Sequence, residues 1–285
     1  VSPLNHGNMH KRLPIVLTAT IRPHRTTGIY AINQTEEDRF ISYQHSIKWI
    51  SDTRATDKLI LAENSSSKLT SELFKYLHSL ASPHFHTETL HYPIADEATV
   101  KGKGYGEGWL ISKCVRHSRL LSDSNAFIKI TGRYQVKNFF RLSRPLASSV
   151  LSNLGYQFIC QDLKFYNFHI PIVSTALFAC TRSAWLEHFE DAYLFVDDIQ
   201  GWAFEAEIAD RLKAIVARGV RVGEVKLPLI IDSFNTKDNQ PFLKRRALCY
   251  LTFRSKVAYS IGKSIKMKTL CLNDFSPQRP NPAIH

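Results

Sequence analysis

The run LPIVLTATIRP, Leu13 to Pro23, decides the fold. Its first nine residues are mostly apolar and rich in β-branched types, the composition of a buried strand, and Arg22-Pro23 ends it. From Arg39 to Trp49 the spacing turns helical, with Phe40, Tyr43, Ile47 and Ile50 three or four residues apart. LILAENS (Leu59 to Ser65) reads as a second strand with a polar end. A second helix is expected near Lys68 to Leu80, and HFHTETLHY after it is compatible with a less clearly marked strand. Strands alternating with helices predict an α/β domain built on a parallel, doubly wound sheet. Such sheets bind ligands outside the carboxyl ends of their strands, which directs attention to Thr20 and Arg22 after the first strand and to Glu63 and Asn64 at the end of the second.

Farther along, KGKGYGEG (Lys101 to Gly108) alternates four glycines with Lys101, Lys103, Tyr105 and Glu107, ahead of a helix expected from about Trp109 to Leu121. Glycines let backbone amides approach an anion, the helix N-terminus adds a favourable dipole, and lysines add charge. Lys101, Lys103, Gly104, Gly106 and Glu107 are therefore read as a diphosphate-binding segment, against the plainer reading of a surface loop. The spacing matches neither the Walker pattern nor the dinucleotide fingerprint. AFIKITGRY (Ala126 to Tyr134) is a third clear strand that delivers Thr131, Gly132, Arg133 and Tyr134 to the same edge. There Arg133 could grip a phosphate in bidentate fashion and Tyr134 could bound a base or sugar. Gln135 to Pro171 has little periodicity beyond a short strand such as YQFIC. VSTALFACT (Val173 to Thr181) is a strand followed by a short helix at Ser183 to Phe189, and YLFVDD then brings Asp197 and Asp198 to a loop. Trp202 to Arg218 is the best-supported helix, with Gly219 placed to end it. Acids around the start of that helix have an ordinary electrostatic reading as well as a functional one.

Composition bounds the possibilities. The chain has 285 residues, 44% of them hydrophobic, enough for one substantial core. Five widely separated cysteines without a CxxC pair point to a reducing compartment. His78, His84, His86 and His91 lack the spacing of a metal site. No apolar run approaches the length of a membrane span, so a cytoplasmic protein, soluble or peripheral at the inner face of the membrane, is expected. The net charge is +12, and eight basic residues with no acidic one lie between Asn239 and Asn273. Apolar residues at helical spacing among these cations fit a helix on an anionic membrane surface, or one packed on the core. Three parts are therefore expected: residues 1–12 as a loose leader, 13–238 as the catalytic domain, and 239–285 as a basic, amphipathic helical tail.

Taken in order, TATIRP, AENS, KGKGYGEG, IKITGRY, STALFACTRSAWL and VDD resemble the GT-A glycosyltransferases, over roughly Leu13 to Asp232. They are similar in particular to bacterial enzymes of capsule, O-antigen or lipooligosaccharide assembly. The resemblance implies a GT-A-like doubly wound mixed sheet with a Rossmann-like nucleotide-binding core. It also implies transfer of a sugar from a nucleotide-sugar donor to a hydroxyl of a glycan or lipid-linked acceptor. On that reading Thr20, Arg22, Glu63 and Asn64 border the nucleotide, and the glycine segment with Thr131, Gly132, Arg133 and Tyr134 holds the phosphates. Asp198, beside Asp197, is the base, and Trp202 and Glu205 meet the acceptor. The chain departs from the family in one respect. Where an Asp-x-Asp would bind a divalent metal it has Thr131-Gly132-Arg133-Tyr134, and no Asp-x-Asp occurs anywhere. No cofactor or metal is therefore expected, and Arg133 with Lys101 or Lys103 would neutralise the phosphates instead. Two rivals stand beside this reading. A nucleic-acid-binding protein would suit the charge but not its concentration in one tail. A non-catalytic glycan-binding scaffold would suit the missing Asp-x-Asp.

Overall fold

The computed structural model describes residues 12–22, 35–94, 101–139, 143, 146–147, 155–166, 170–225, 231–233 and 267–275. Its centre is an eight-stranded mixed sheet. The strands are β1 (Ile15–Ala19), β2 (Lys58–Glu63), β3 (His86–His91), β4 (Ala126–Thr131), β6 (Phe158–Tyr166), β7 (Ile170–Thr181), β8 (Val222–Val225) and β10 (Met267–Thr269). They lie in the order β10-β8-β6-β7-β4-β1-β2-β3. β3, β2, β1 and β4 are mutually parallel, β7 runs antiparallel to both β4 and β6, and β6 is parallel to β8. A two-stranded ribbon pairs β5 (Tyr134–Val136) with β9 (Ile231–Ser233). The expected doubly wound α/β sheet is therefore what the chain forms.

Helices cover both faces. Helices α1 (Glu36–Asp52) and α2 (Leu69–Ser79) pack on one, α3 (Lys103–His117) and α4 (Phe204–Ala217) on the other. Strand β1 shows why. All five of its residues are buried; Ile15 and Leu17 enter the first core while Val16 enters the second, as the two-residue period of a strand requires. Helix α1 starts on a capping box, in which Thr35 and Asp38 each accept the other's backbone N–H. The second core is strongly aromatic: Trp185 stacks on Phe178 at 5.5 Å and 2°, and Phe178 stacks on Phe158 at 5.0 Å. Helix α4 ends where expected, with Gly219 at φ 80°.

Three elements differ from the sequence reading. KGKGYGEG is helix from Lys103 onward, because its glycines let neighbouring side chains seat against the helix. YQFIC belongs to a nine-residue strand, and register shifts at Cys160/Gln161 and Gln161/Leu163 break its alternation. Of the expected helical tail, residues 239–266 and 276–285 fall outside the described residues. Within 267–275 the chain forms β10, antiparallel to β8, and a 3₁₀ turn at Leu272–Phe275. Leu270 and Phe275 are buried in the second core, so apolar anchoring and completion of a sheet edge prevail over helix here. The leader, residues 1–11, is likewise outside the described residues. Among the described residues no helix is long and apolar enough to cross a membrane.

The aromatic stack should dominate the stability of the second core. Trp185→Ala is expected to lower the unfolding free energy by about 3–5 kcal/mol, measured by urea unfolding followed by circular dichroism.

Candidate functional site

The carboxyl ends of β1, β2 and β4 meet the N-terminus of α3 and the segment before α4. Lys129 projects from the middle of β4 and is completely buried. Its ammonium contacts the Glu107 carboxylate of α3 and donates to Thr131 Oγ1 at 2.9 Å and to the Thr175 carbonyl at 2.6 Å. Glu107 also accepts from Thr131 Oγ1 at 3.2 Å. Burial alone would raise the Glu107 pKa, but Lys129 and then Lys103 outweigh it and hold the carboxyl below its ordinary range. Burial pushes the Lys129 ammonium down, against the pull of Glu107.

Lys103, in the first turn of α3, stays solvent-accessible above this pair. Its pKa is raised, first by Glu107 and also by Tyr134 and Glu205, while burial and Arg133 oppose. Lys103, Glu107, Arg133, Tyr134 and Glu205 thus share one electrostatic neighbourhood. Glu205, in the first turn of α4, accepts from Thr175 Oγ1 at 2.9 Å.

Asp198 sits against the start of α3. Its Oδ2 accepts the Gly104 N–H at 2.8 Å, and its own N–H donates to the Lys101 carbonyl at 2.9 Å. The fit demands glycine: Gly102 has φ 107°, and a Cβ there would lie 2.5 Å from the Asp198 Cβ. Asp198 therefore caps α3 from a distance in sequence of more than ninety residues. Burial raises its pKa, with Glu107 and Asp197 adding, while the Gly104 N–H and Lys103 oppose.

At the ends of β1 and β2 the polar groups hold one another. Thr20 Oγ1 donates to Asn64 Oδ1 at 2.7 Å, and Asn64 Nδ2 donates to the Gly106 carbonyl at 3.3 Å. The Glu63 carboxylate is buried and accepts from Ile21 N–H (3.1 Å), Ser65 N–H (2.9 Å), Ser65 Oγ and Thr70 Oγ1 (3.2 Å). It ties the two strand ends together, with no lone pair turned outward for a ligand.

The structure thus gathers Lys103, Gly104, Glu107, Thr131, Gly132, Arg133, Tyr134, Asp198 and Glu205, and it places Thr20, Asn64 and Gly106 alongside. It leaves others aside. Arg22 pairs with Glu36 at 2.5 Å on the exposed rim. Lys101 donates to the Leu194 carbonyl at 3.2 Å. Asp197 accepts from Ile199 and Gln200 N–H in a tight turn, and Trp202 Nε1 donates to Glu207 at 2.9 Å. Sequence reasoning missed Lys129, although a lysine inside the buried run AFIKIT was the available signal. It also missed Thr175 and Arg39, which carried none.

The donor set suits anions. Glu107 is committed to Lys129, Asp198 to the α3 amide, and the turn after β4 offers a guanidinium. Among the described residues no group of three His, Cys, Asp or Glu side chains converges as metal ligands, and the four histidines seen in the sequence form no such group. His78 is held between Thr87 and Thr89, each at 3.1 Å.

No family profile matches the sequence, and no curated protein matches it. Solved structures with a similar chain path include the mannosyltransferase PcManGT from Pyrobaculum calidifontis, in complex with GDP-Man and Mn2+. It is 12% identical, with a TM-score of 0.47 over 89% of this chain and 65% of that one. This chain thus spans less than two thirds of PcManGT. A protein proposed to be a nucleotide-diphospho-sugar transferase, from Desulfovibrio desulfuricans G20, is 12% identical, with a TM-score of 0.47 over 86% of this chain and 95% of that one. The bifunctional glycosyltransferase WbbM matches at 12% identity and a TM-score of 0.40 over 73% and 38%. Likeness at this level fixes neither activity nor ligand.

The Lys129–Glu107 pair is expected to behave as a buried ion pair. Lys129→Met should cost about 3–5 kcal/mol at pH 7 because it strands a buried carboxylate, and the double variant with Glu107→Gln should recover much of that loss. The pH dependence follows the lowered Glu107 pKa. Below the ordinary carboxylate value of 4.5 the unfolded chain binds the proton first, so this contribution is present above 4.5 and is lost as pH falls through the lower folded value. Urea unfolding from pH 3 to 7 should show that slope in the wild type and not in Glu107→Gln.

Proposed function

We propose that this chain is a glycosyltransferase that binds a nucleotide-sugar and transfers its sugar to a hydroxyl without a divalent metal. One observation carries the reading. At the carboxyl edge of a doubly wound sheet, Lys103 lies within electrostatic reach of Arg133 and of two carboxylates, Glu205 and Asp198, next to the buried Lys129–Glu107 pair. A departing nucleoside diphosphate gains negative charge, and cations fixed in place stabilise it without reorganisation. Thr20 and Asn64 border the nucleotide side of this edge, and Tyr134 bounds it at the turn after β4.

The acceptor's hydroxyl must lose a proton as it attacks. Asp198 is the first choice from sequence, but its Oδ2 is engaged by the Gly104 N–H and its position is fixed by Gly102. Glu205 is held by a single hydroxyl and lies in the neighbourhood of Lys103, so the base role falls to Glu205 and Asp198 holds α3 in place. If the reaction inverts, the acceptor oxygen forms its bond to the anomeric carbon as the diphosphate oxygen leaves, and the proton passes to Glu205. If it retains configuration, Glu205 orients the acceptor. The acceptor is proposed to be a bacterial surface glycan or its lipid-linked precursor, and the basic tail the means of keeping the enzyme near an anionic membrane.

Screening nucleotide-sugars for turnover with Glu205→Gln and Asp198→Asn separates the roles. Glu205→Gln is expected to lower kcat by about 10²- to 10⁴-fold with little change in melting temperature. Asp198→Asn is expected to lower the melting temperature and to keep more activity. The reverse pattern would return the base role to Asp198, and turnover abolished by a chelator would refute the metal-free reading.

A further inference from the structure

Among the described residues no carboxylate pairs with the buried guanidinium of Arg39. Arg39 lies in the second turn of α1 and is 5% exposed. Its Nη1 donates to the Thr20 carbonyl at 2.9 Å, while its buried Nε has no hydrogen-bond partner. The acids nearest in sequence are used elsewhere: Glu36 holds Arg22 and Ser67, and Asp38 caps its own helix. Residues 23–34, which join β1 to α1, contain no Asp or Glu. Leaving an arginine charge buried and uncompensated is costly, and a bound anion would offset that cost.

Arg39 also adjoins the turn that carries Arg133. Tyr43, one helical turn after Arg39, accepts the Thr20 N–H at 2.8 Å and lies against Gly132, where a Cβ would come within 2.9 Å of its ring. Gly132 in turn donates to the Thr18 carbonyl at 3.0 Å. The ends of β1 and β4 and the face of α1 are thus locked together, and Arg133 follows Gly132 directly in the chain. Burial, and after it the Arg133 charge, push the Arg39 guanidinium down, with Tyr43 opposing.

We propose that Arg39 is a further binding residue, forming with Arg133 a two-arginine clamp for the phosphoryl groups of a nucleoside diphosphate, in which Arg39 supplies buried charge beneath the oxygens that Arg133 meets. This rests on the transferase reading for the identity of the ligand, but the clamp itself is a claim about phosphoryl anions.

Calorimetric titration of the full chain with inorganic pyrophosphate, with UDP, GDP, dTDP and ADP, and with the matching nucleosides tests it. Arg39→Met is expected to weaken pyrophosphate and the preferred diphosphate on the order of tenfold to a hundredfold, and to leave the nucleoside within about twofold. Arg39→Lys should fall between, since it keeps the charge and loses the fork. Lys48→Met removes an exposed cation of the same helix that is paired with Asp52, and should leave pyrophosphate affinity unchanged. If Arg39→Met does not fold, Arg39→Lys is read by the same criteria. Wild-type affinity for pyrophosphate in Arg39→Met, equal loss of nucleoside and diphosphate, the same loss in Lys48→Met, or no pyrophosphate binding by the wild type would each overturn the clamp. Pyrophosphate binding that depends on Arg39, with no nucleoside diphosphate bound, would uphold the clamp and overturn the transferase reading.

Discussion

The contact between Lys129 and Glu107 orders the rest of the site. It joins the central strand β4 to helix α3 through charges that are both out of water, so neither element can shift without stranding one of them. An ammonium has three protons to place, and here the carboxylate, the Thr131 hydroxyl and the Thr175 carbonyl provide for them. β7 is thereby drawn into the same junction, and Thr175 passes the constraint on to Glu205 through its hydroxyl. One buried lysine thus fixes three elements and, at second hand, the first turn of a fourth.

Glu107 neutralises Lys129, and solvent reaches Lys103 and Arg133 at this edge, to which the proposed reading assigns the donor phosphates. The arrangement separates structural charge from binding charge. Asp198 completes the separation at the helix end. An exposed helix N-terminus attracts anions of any kind, and a carboxylate already seated on the Gly104 N–H satisfies one of its amides within the chain. On the proposed reading, a ligand meets side-chain cations at this edge beside Glu205.

Much of the fold was legible because burial on both faces writes a continuous apolar run. LPIVLTATI, LILAE and AFIKIT have no other economical reading, and the polar residues that end them mark the ligand edge. The glycine segment was misread because helix propensity is local, and glycine scores poorly wherever it stands. What makes it helical is a set of partners far along the chain: Asp198 against Gly102 and Gly104, Asn64 against Gly106, Phe204 against Gly108. β6 was misread for a related reason, since its register shifts put polar residues out of phase with any two-residue pattern. Tertiary contacts override local preference in both cases.

The site was legible as a region and not as a set of roles. Asp197 and Asp198 are the same residue type in adjacent positions, yet one closes a turn on Ile199 and Gln200 and the other caps a helix. Glu63 and Glu205 both end up beside the sheet edge, and only the count of their hydrogen bonds distinguishes a carboxylate spent on holding strand ends from one with an oxygen to spare. Arg39 is the extreme case. From sequence it is a cation on the face of an amphipathic helix, where solvent is the default environment; only the closure of α1 over Thr20 and Gly132 buries it. A buried charge without a partner is costly in isolation and inexpensive beside a ligand of opposite sign, so its meaning depends on a group outside the chain.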